Sequence, residues 1–350
     1  MSRQRLLGGR RSLPVRGVQA ATVAAAVGAL LCLGMTAASA ESSSAAQPGR
    51  SHAIAAQAPG LARRSASSSH VYFSLVGSWP AHLAASCPNV EFLGARGSGQ
   101  PSGGQFKGLG PEISYMFSVV QSDVRHDGYS YRTWALNYPA VSVDVLKPSA
   151  VEIMTSLMGL LYWYNHNYKK FQASISKGVG EMVAKISTLH SACPHAFIAV
   201  GGYSQGAMVV HQALLRVKSK SVQKCQNGTI LLADGNRVPN TIANQFGTSP
   251  RNGEGIATWA KNTIHVGATP HDIPAWANQS AANICNKYDI VCDTSLSNLR
   301  NFSRGAKVHT SYAVRDANGK YSYEKVLTQA AKGVGGDLQR LLQDTGGFCA

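Results

Sequence analysis

The stretch GGYSQGA, residues 201–207, follows the apolar run Ala196-Phe197-Ile198-Ala199-Val200 and precedes Met208-Val209-Val210. The run before it reads as a buried strand, and Gln205–Val217 reads as a helix. A G-x-S-x-G turn between a buried strand and a helix holds a serine clear of the sheet, at the carboxyl end of the strand. The glycines remove side chains that would clash in so tight a turn. Gln205 opens the helix, where its backbone N–H has no intrahelical acceptor. Such an N–H can stabilise the negative oxygen formed when a serine attacks a carbonyl.

Working outward, short apolar runs alternate with helical stretches. Val90–Ala95, Tyr131–Leu136, Thr229–Ala233 and Thr263–Val266 read as further strands. Tyr115–Val124, Phe171–Leu189 and Lys325–Leu342 carry helical periods. This alternation predicts an α/β protein: a three-layer α/β/α sandwich around a central, mainly parallel sheet of about five strands.

A serine hydroxyl needs a base to become nucleophilic. After Ser204 the histidines are His211, His265, His271 and His309. His211 sits two turns down the same helix and is not expected to reach back. In folds of this type the chain order is serine, acid, histidine, and His271 and His309 leave room for an acid between. The acids in that window are Asp234, Glu254, Asp272, Asp289 and Asp293. One of them stands apart. Cys285-Asn286-Lys287-Tyr288-Asp289-Ile290-Val291-Cys292 reads as a disulfide-closed loop around a single carboxylate. A loop that short constrains the unfolded chain by only about 2.5 kcal/mol, against about 5 for a loop of a hundred residues. Fixing the position of Asp289 is therefore the better reason for the bridge. His309 follows twenty residues later, before an expected helix start at Ser311-Tyr312.

Together these stretches resemble the cutinase family of serine esterases, members of the alpha/beta hydrolase fold. Gly202–Gly206 matches the family's G-Y-S-Q-G, and Cys285–Cys292 its C-N-x-x-D-x-V-C loop. His309 with Tyr312 matches its H-x-x-Y, and Ala95-Arg96-Gly97-Ser98 its A-R-G-S/T. The resemblance covers about Cys87–Leu342. It implies Ser204, Asp289 and His309 as the catalytic set and Ser98 with Gln205 as the oxyanion donors. It also implies pairing of Cys87 with Cys193 and of Cys285 with Cys292, which leaves Cys225 and Cys349 to join each other. The implied activity is hydrolysis of carboxylic esters, whether cutin-like polyester, short to medium acyl esters or lipids, through an acyl-enzyme. An acetylxylan esterase of the same fold, or a non-catalytic cell-surface binding protein on this scaffold, are the alternatives. No metal or organic cofactor is expected. The expected partner is the ester substrate, with transient contact to a lipid or polymer surface, no nucleic acid, and a monomeric protein.

The sequence departs from the short members of that family in three places. Val151–Lys170 is added and includes the apolar, aromatic run Leu157–Tyr164, which reads either as a flap over the site or as a core helix. Ala233-Asp234-Gly235-Asn236 resembles a G-D-P segment without its proline, and Asp234 reads as a structural residue. The region from Gly235 to Trp276 is also longer.

The first 40 residues read as an export signal. Arg3, Arg5, Arg10, Arg11 and Arg16 precede an apolar run from Val18 to about Met35, and Ala38-Ser39-Ala40 supplies a cleavage site. Residues 41–84 are rich in Ser and Ala and read as a flexible linker, with Val71–Val76 as a short ordered patch. Residues 85–350 form the catalytic domain. The formal net charge is +16. Without the five leader arginines, 28 basic residues face 17 acidic ones, about +11. No basic run interleaved with aromatics accompanies that charge, so a solvated basic surface is expected rather than a nucleic-acid site. Of seven cysteines, Cys32 lies in the leader and six remain, an even number that suits three disulfides and an extracellular, secreted protein.

Overall fold

Six parallel strands, in the spatial order Tyr131–Ala135, Val90–Ala95, Phe197–Tyr203, Gln226–Leu232, Ala281–Ile284 and Asn244–Phe246, form the sheet of the computed structural model. The structure describes residues 87–146, 164–278, 280–315, 319 and 322–349. The expected export signal, linker and Val71–Val76 patch lie outside these residues, as does most of the added Val151–Lys170 segment.

The strands are β1 (Val90–Ala95), β2 (Tyr131–Ala135), β3 (Phe197–Tyr203), β4 (Gln226–Leu232), β5 (Asn244–Phe246) and β6 (Ala281–Ile284). Every neighbouring pair runs parallel. The helices that concern the site are α1 (Gly110–His126), α2 (Lys169–Ala192), α3 (Gln205–Arg216), α4 (Lys220–Cys225), α5 (Ile256–Ile264), α6 (Leu296–Arg300), α7 (Phe302–Thr310) and α8 (Glu324–Asp344).

The sheet is buried on both faces, and alternate residues of one strand feed opposite cores. Val90 and Phe92 of β1, with Phe197 and Ala199 of β3, join Ile113, Phe117, Leu327 and Leu338 of α1 and α8. Leu93 and Ala95, with Ile198 and Val200, join Ile175, Met182, Val209 and Val210 of α2 and α3. This is the expected three-layer α/β/α architecture, with six strands instead of about five.

Two expectations are corrected. Thr263–Val266 is not a strand. Thr263 and Ile264 end α5, His265 closes it in the left-handed conformation with φ 59°, and the Val266 amide returns to the Ala260 carbonyl. The β-branched residues there suggested a strand, but burial of Trp259 against Ile290 and Leu299 holds the segment as a helix. The remaining strands are instead β5 and β6. Nor does a helix start at Ser311. That residue closes α7, whose last turn carries His309.

Among the described residues, Cys87–Cys193, Cys225–Cys349 and Cys285–Cys292 form disulfides, the last closing a loop of its own.

Candidate active site

Ser204 follows the last residue of β3 and caps α3. Its backbone has φ 55° and ψ −118°, a conformation that costs a non-glycine residue of order 1–3 kcal/mol and persists only where the surroundings impose it. Those surroundings are backbone. A Cβ on Gly202 would strike the Gly206 carbonyl, and one on Gly206 would strike the carbonyls of Ala95 and Arg96. The Ser204 amide is tied to Leu232 O at 2.9 Å. The serine turn is thus wedged between the ends of β1 and β4, and glycine is the only residue that fits on either side of it.

His309, in the last turn of α7, spans the gap between the serine and the acid loop. Its Nε2 lies 2.9 Å from Ser204 Oγ, and its Nδ1 lies 3.0 and 3.1 Å from the two Asp289 oxygens. Two contacts with Tyr203 hold the ring. Tyr203 stacks on the imidazole with centroids 5.3 Å apart and planes 21° from parallel. Its hydroxyl also donates to the His309 carbonyl at 2.6 Å, satisfying one of the carbonyls that a helix end leaves open. Tyr203 is buried, and that burial pushes its phenol well above the ordinary range, helped by the charges of Glu112 and Asp289.

Asp289 has no exposed side-chain surface. Its Oδ1 accepts from the amides of Val291 at 2.8 Å and Cys292 at 3.3 Å. The short disulfide loop thus turns its own backbone donors onto its one carboxylate. Arg237, among the largest fully buried side chains, pins that loop from behind. It donates to Cys292 O, Ser249 Oγ, Gln245 Oε1 and Pro250 O. Burial lowers its pKa, against the pull of Asp293, Asp234 and Asp289.

The loop after β1 lies against the serine turn, since a Cβ on Gly97 would meet the Tyr203 ring. Arg96 is buried and bonds Gln100 O, Leu136 O and Tyr138 O. Gln100 bridges the loop, accepting from the Gly97 amide at 2.7 Å and donating to Glu112 at 2.6 Å. Burial raises the pKa of Glu112, and the bond from Gln100 partly offsets it. Within this braced loop Ser98 Oγ is buried and, among the described residues, has no hydrogen-bond partner. A buried hydroxyl left unmatched is costly, which suits a donor held for something that arrives later. Gln205 contributes the first amide of α3, and its side chain is fixed by Ser174 and Val141.

The other candidates lie elsewhere. His211 Nδ1 meets Asp234 Oδ2 at 2.6 Å, and its Nε2 meets His271 O at 2.9 Å. Asp234 therefore has its own histidine and is not aimed at Ser204. His271 is exposed, and His265 caps α5. Asp272 binds Thr241 and the amides of Ile242 and Ile273. Glu254 accepts from Asn262, and Asp293 from Ser249, Tyr288 N and Asn298. Sequence reasoning missed Tyr203, Gln100, Glu112 and Arg237 as supports of the site.

The buried His211–Asp234 pair makes a stability prediction. Both ring nitrogens face acceptors, so the ring fits best with both protonated. Burial opposes that charge, but Asp234, its hydrogen bond and His271 O outweigh the burial, and the His211 pKa is raised. The stabilisation is full below the ordinary histidine value of about 6.5 and is lost as pH rises through the raised folded value. Urea unfolding is expected to show that loss. His211→Leu, which strands a buried carboxylate, is expected to be less stable by about 3 kcal/mol at the acid end, with the histidine-dependent loss gone.

A cutinase family model matches residues 86–325. The chain belongs to the cutinase family. It is thus one of a family of carboxylic ester hydrolases, on the fold described above. The carboxylesterase Culp6 homolog of Corynebacterium glutamicum is 22% identical over 252 residues, covering 67% of this chain and 73% of that protein. Among solved structures, an acetylxylan esterase is 19% identical with a TM-score of 0.46, covering 72% of this chain and all of that one. A cutinase-like protein from Cryptococcus sp. is 16% identical with a TM-score of 0.45, covering 73% and 97%.

Proposed function

We propose that this cutinase-family protein is a secreted serine esterase in which Ser204 attacks, His309 moves the proton and Asp289 orients His309. The observation that carries the reading is the imidazole lying within hydrogen-bond reach of both Ser204 Oγ and the Asp289 carboxylate. Ser204 Oγ adds to the ester carbonyl while its proton passes to His309 Nε2. The carbonyl oxygen, now negative, is held by the Gln205 amide together with the amide and hydroxyl of Ser98. The intermediate collapses to an acyl-enzyme, and His309 returns the proton to the departing alcohol. Water then adds to the acyl carbon while its proton passes to His309; the bond to Ser204 Oγ breaks, the acid leaves, and His309 returns the proton to Ser204 Oγ. Asp289 stabilises the charged imidazole at both proton transfers.

The proposed substrates are cutin-like polyester, short to medium acyl esters or lipids. The protein works as a monomer, touching lipid or polymer surfaces transiently. Three disulfides among the described residues suit folding in an oxidising compartment, which supports export. Initial rates on p-nitrophenyl esters of increasing acyl length, run beside acetyl release from acetylated xylan, test the reading. Turnover of the acyl esters is the expected result. Acetyl release alone would move the substrate to acetylated xylan, and no turnover of any ester would favour a binding protein.

A further inference from the structure

Two peptide units meet at Gly97, and Gln100 binds both. Its side-chain Oε1 accepts from the Gly97 amide at 2.7 Å. Its own amide donates to the Gly97 carbonyl at 3.2 Å. That carbonyl and the Ser98 N–H belong to one trans peptide unit and point in opposite directions. Fixing the first therefore aims the second.

A carboxamide has two ends of nearly equal shape, one an acceptor and one a donor. Turned over, Gln100 would set its NH2 against the Gly97 N–H, donor against donor. Glu112, in the first turn of α1, decides which way it lies. Glu112 is only 4% exposed, and its Oε2 accepts from Gln100 Nε2 at 2.6 Å. An ionised carboxylate only accepts, so the NH2 must face it and Oε1 must face Gly97. Burying a carboxylate is costly, and the polarity it imposes on Gln100 gives its place here a reason. The carboxamide also lies so close against Gly110 that a Cβ there would strike it.

We propose that Glu112, acting through the Gln100 carboxamide, aims the Ser98 N–H at the oxyanion, which makes Glu112 and Gln100 positioning residues for the transition state. The inference rests on the reading of Ser204 as nucleophile and Ser98 as an oxyanion donor. Among the described residues, the charged and titratable groups facing the pair are Arg96, His309 and Tyr203. Arg96 lies in the same loop and donates to Gln100 O at 2.8 Å. His309 of α7 and Tyr203 of β3 interact with the Glu112 charge through space.

The test moves the carboxylate across the hydrogen bond. Gln100→Glu sets two carboxylates in contact, and they stay together only by sharing a proton. Its kcat on a p-nitrophenyl ester is expected to lie near that of the unmodified enzyme at about pH 6. At about pH 9 it is expected to be about thirtyfold lower, part of the hundredfold or more that a lost oxyanion donor costs. KM should stay within about twofold, since the donor acts on the transition state. Adding Glu112→Gln rebuilds the same polarity in reverse. The amide at 112 then donates to the carboxylate at 100, whose other oxygen still accepts from Gly97. This double variant is expected to recover to within about threefold across that range, because the two residues act as a unit. A Gln100→Glu enzyme that keeps its full rate at the alkaline end, or a loss that Glu112→Gln does not relieve, would overturn the inference. The acid limb of kcat/KM reports His309 and is expected to stay in place in the double variant. A displaced limb with a lost rate would assign the effect to the charge near His309 and overturn the inference.

Should Gln100→Glu fail to fold, the unmodified protein decides. An NMR scalar coupling across the hydrogen bond, between the Gly97 amide nitrogen and the Gln100 side-chain carbonyl carbon, is expected. Its absence from a spectrum that shows the coupling of Ser204 N to the Leu232 carbonyl, a bond of 2.9 Å, would overturn the inference. Ser204→Ala separates the two levels. Turnover retained in that variant would mean the reading of the site is wrong. An inactive Ser204→Ala beside an unrelieved Gln100→Glu would sink this inference alone.

Discussion

Ser204→Ala is expected to lower kcat on a p-nitrophenyl acyl ester by about a million-fold, the scale seen when a serine nucleophile is deleted from a site of this design. The oxyanion donors remain, so a trace of turnover about a thousand-fold above water should survive. The fold should not notice the change. Serine and alanine share a Cβ, so the strained backbone at φ 55° costs the variant what it costs the native chain. The variant gives up one 2.9 Å bond to His309, while the Gly202–Gly206 wedge and the amide bond to Leu232 stay. The melting temperature should shift by no more than about 3 °C. Initial rates and a thermal melt on the same preparation check both halves. A large loss of activity accompanied by unfolding would mean that the hydroxyl holds the turn together.

Asp289→Asn is expected to lower kcat by about ten-thousand-fold, through the tautomer of His309 rather than through its position. The backbone around residue 289 dictates the orientation of the new side chain. Two amides, from Val291 and Cys292, point at Oδ1, so the carboxamide oxygen must take that place. Its NH2 then occupies the site of Oδ2 and donates toward His309 Nδ1. A ring whose Nδ1 accepts carries its proton on Nε2, and Nε2 then donates to Ser204 instead of taking its proton. Neither Asp234 nor Asp293 can step in. Asp234 is fully buried and held by His211 at 2.6 Å, and Asp293 is spent on Ser249, Tyr288 and Asn298. Steady-state kcat with a melt as control measures the effect. A loss below about tenfold would remove Asp289 from the orienting role.

The parts of this molecule that were legible in the sequence are those where a local stretch meets its own constraint. The run Phe197–Val200 is apolar throughout because β3 is covered on both faces, and Gly202 and Gly206 are glycine because backbone presses on them. Asp289 stood out because two cysteines seven positions apart close a loop around it. Where the cause is distant, the sequence is silent or misleading. Ala281–Ile284 holds two alanines and an asparagine, poor strand formers, and is a strand because β4 and β5 flank it. Thr263–Val266 has the strand composition and is a helix end, because Trp259 must reach Ile290. Phe302–Thr310 is mostly polar, with a glycine at 305 that fits against Tyr288 O and Ile290, so nothing local announced α7. The supports Glu112 and Arg237 were invisible for a different reason. Charged residues are rarely buried, and only partners brought from other elements make these two tolerable.

Mass spectrometry of the protein after treatment with a fluorophosphonate ester tests the central claim most directly, because that reagent forms a stable bond only with a serine whose proton has somewhere to go. One phosphonyl group per chain is expected, on the peptide that contains Ser204, with no adduct in either Ser204→Ala or His309→Ala. An adduct on any other residue, or an unlabelled Ser204 in a preparation that still hydrolyses esters, would contradict it.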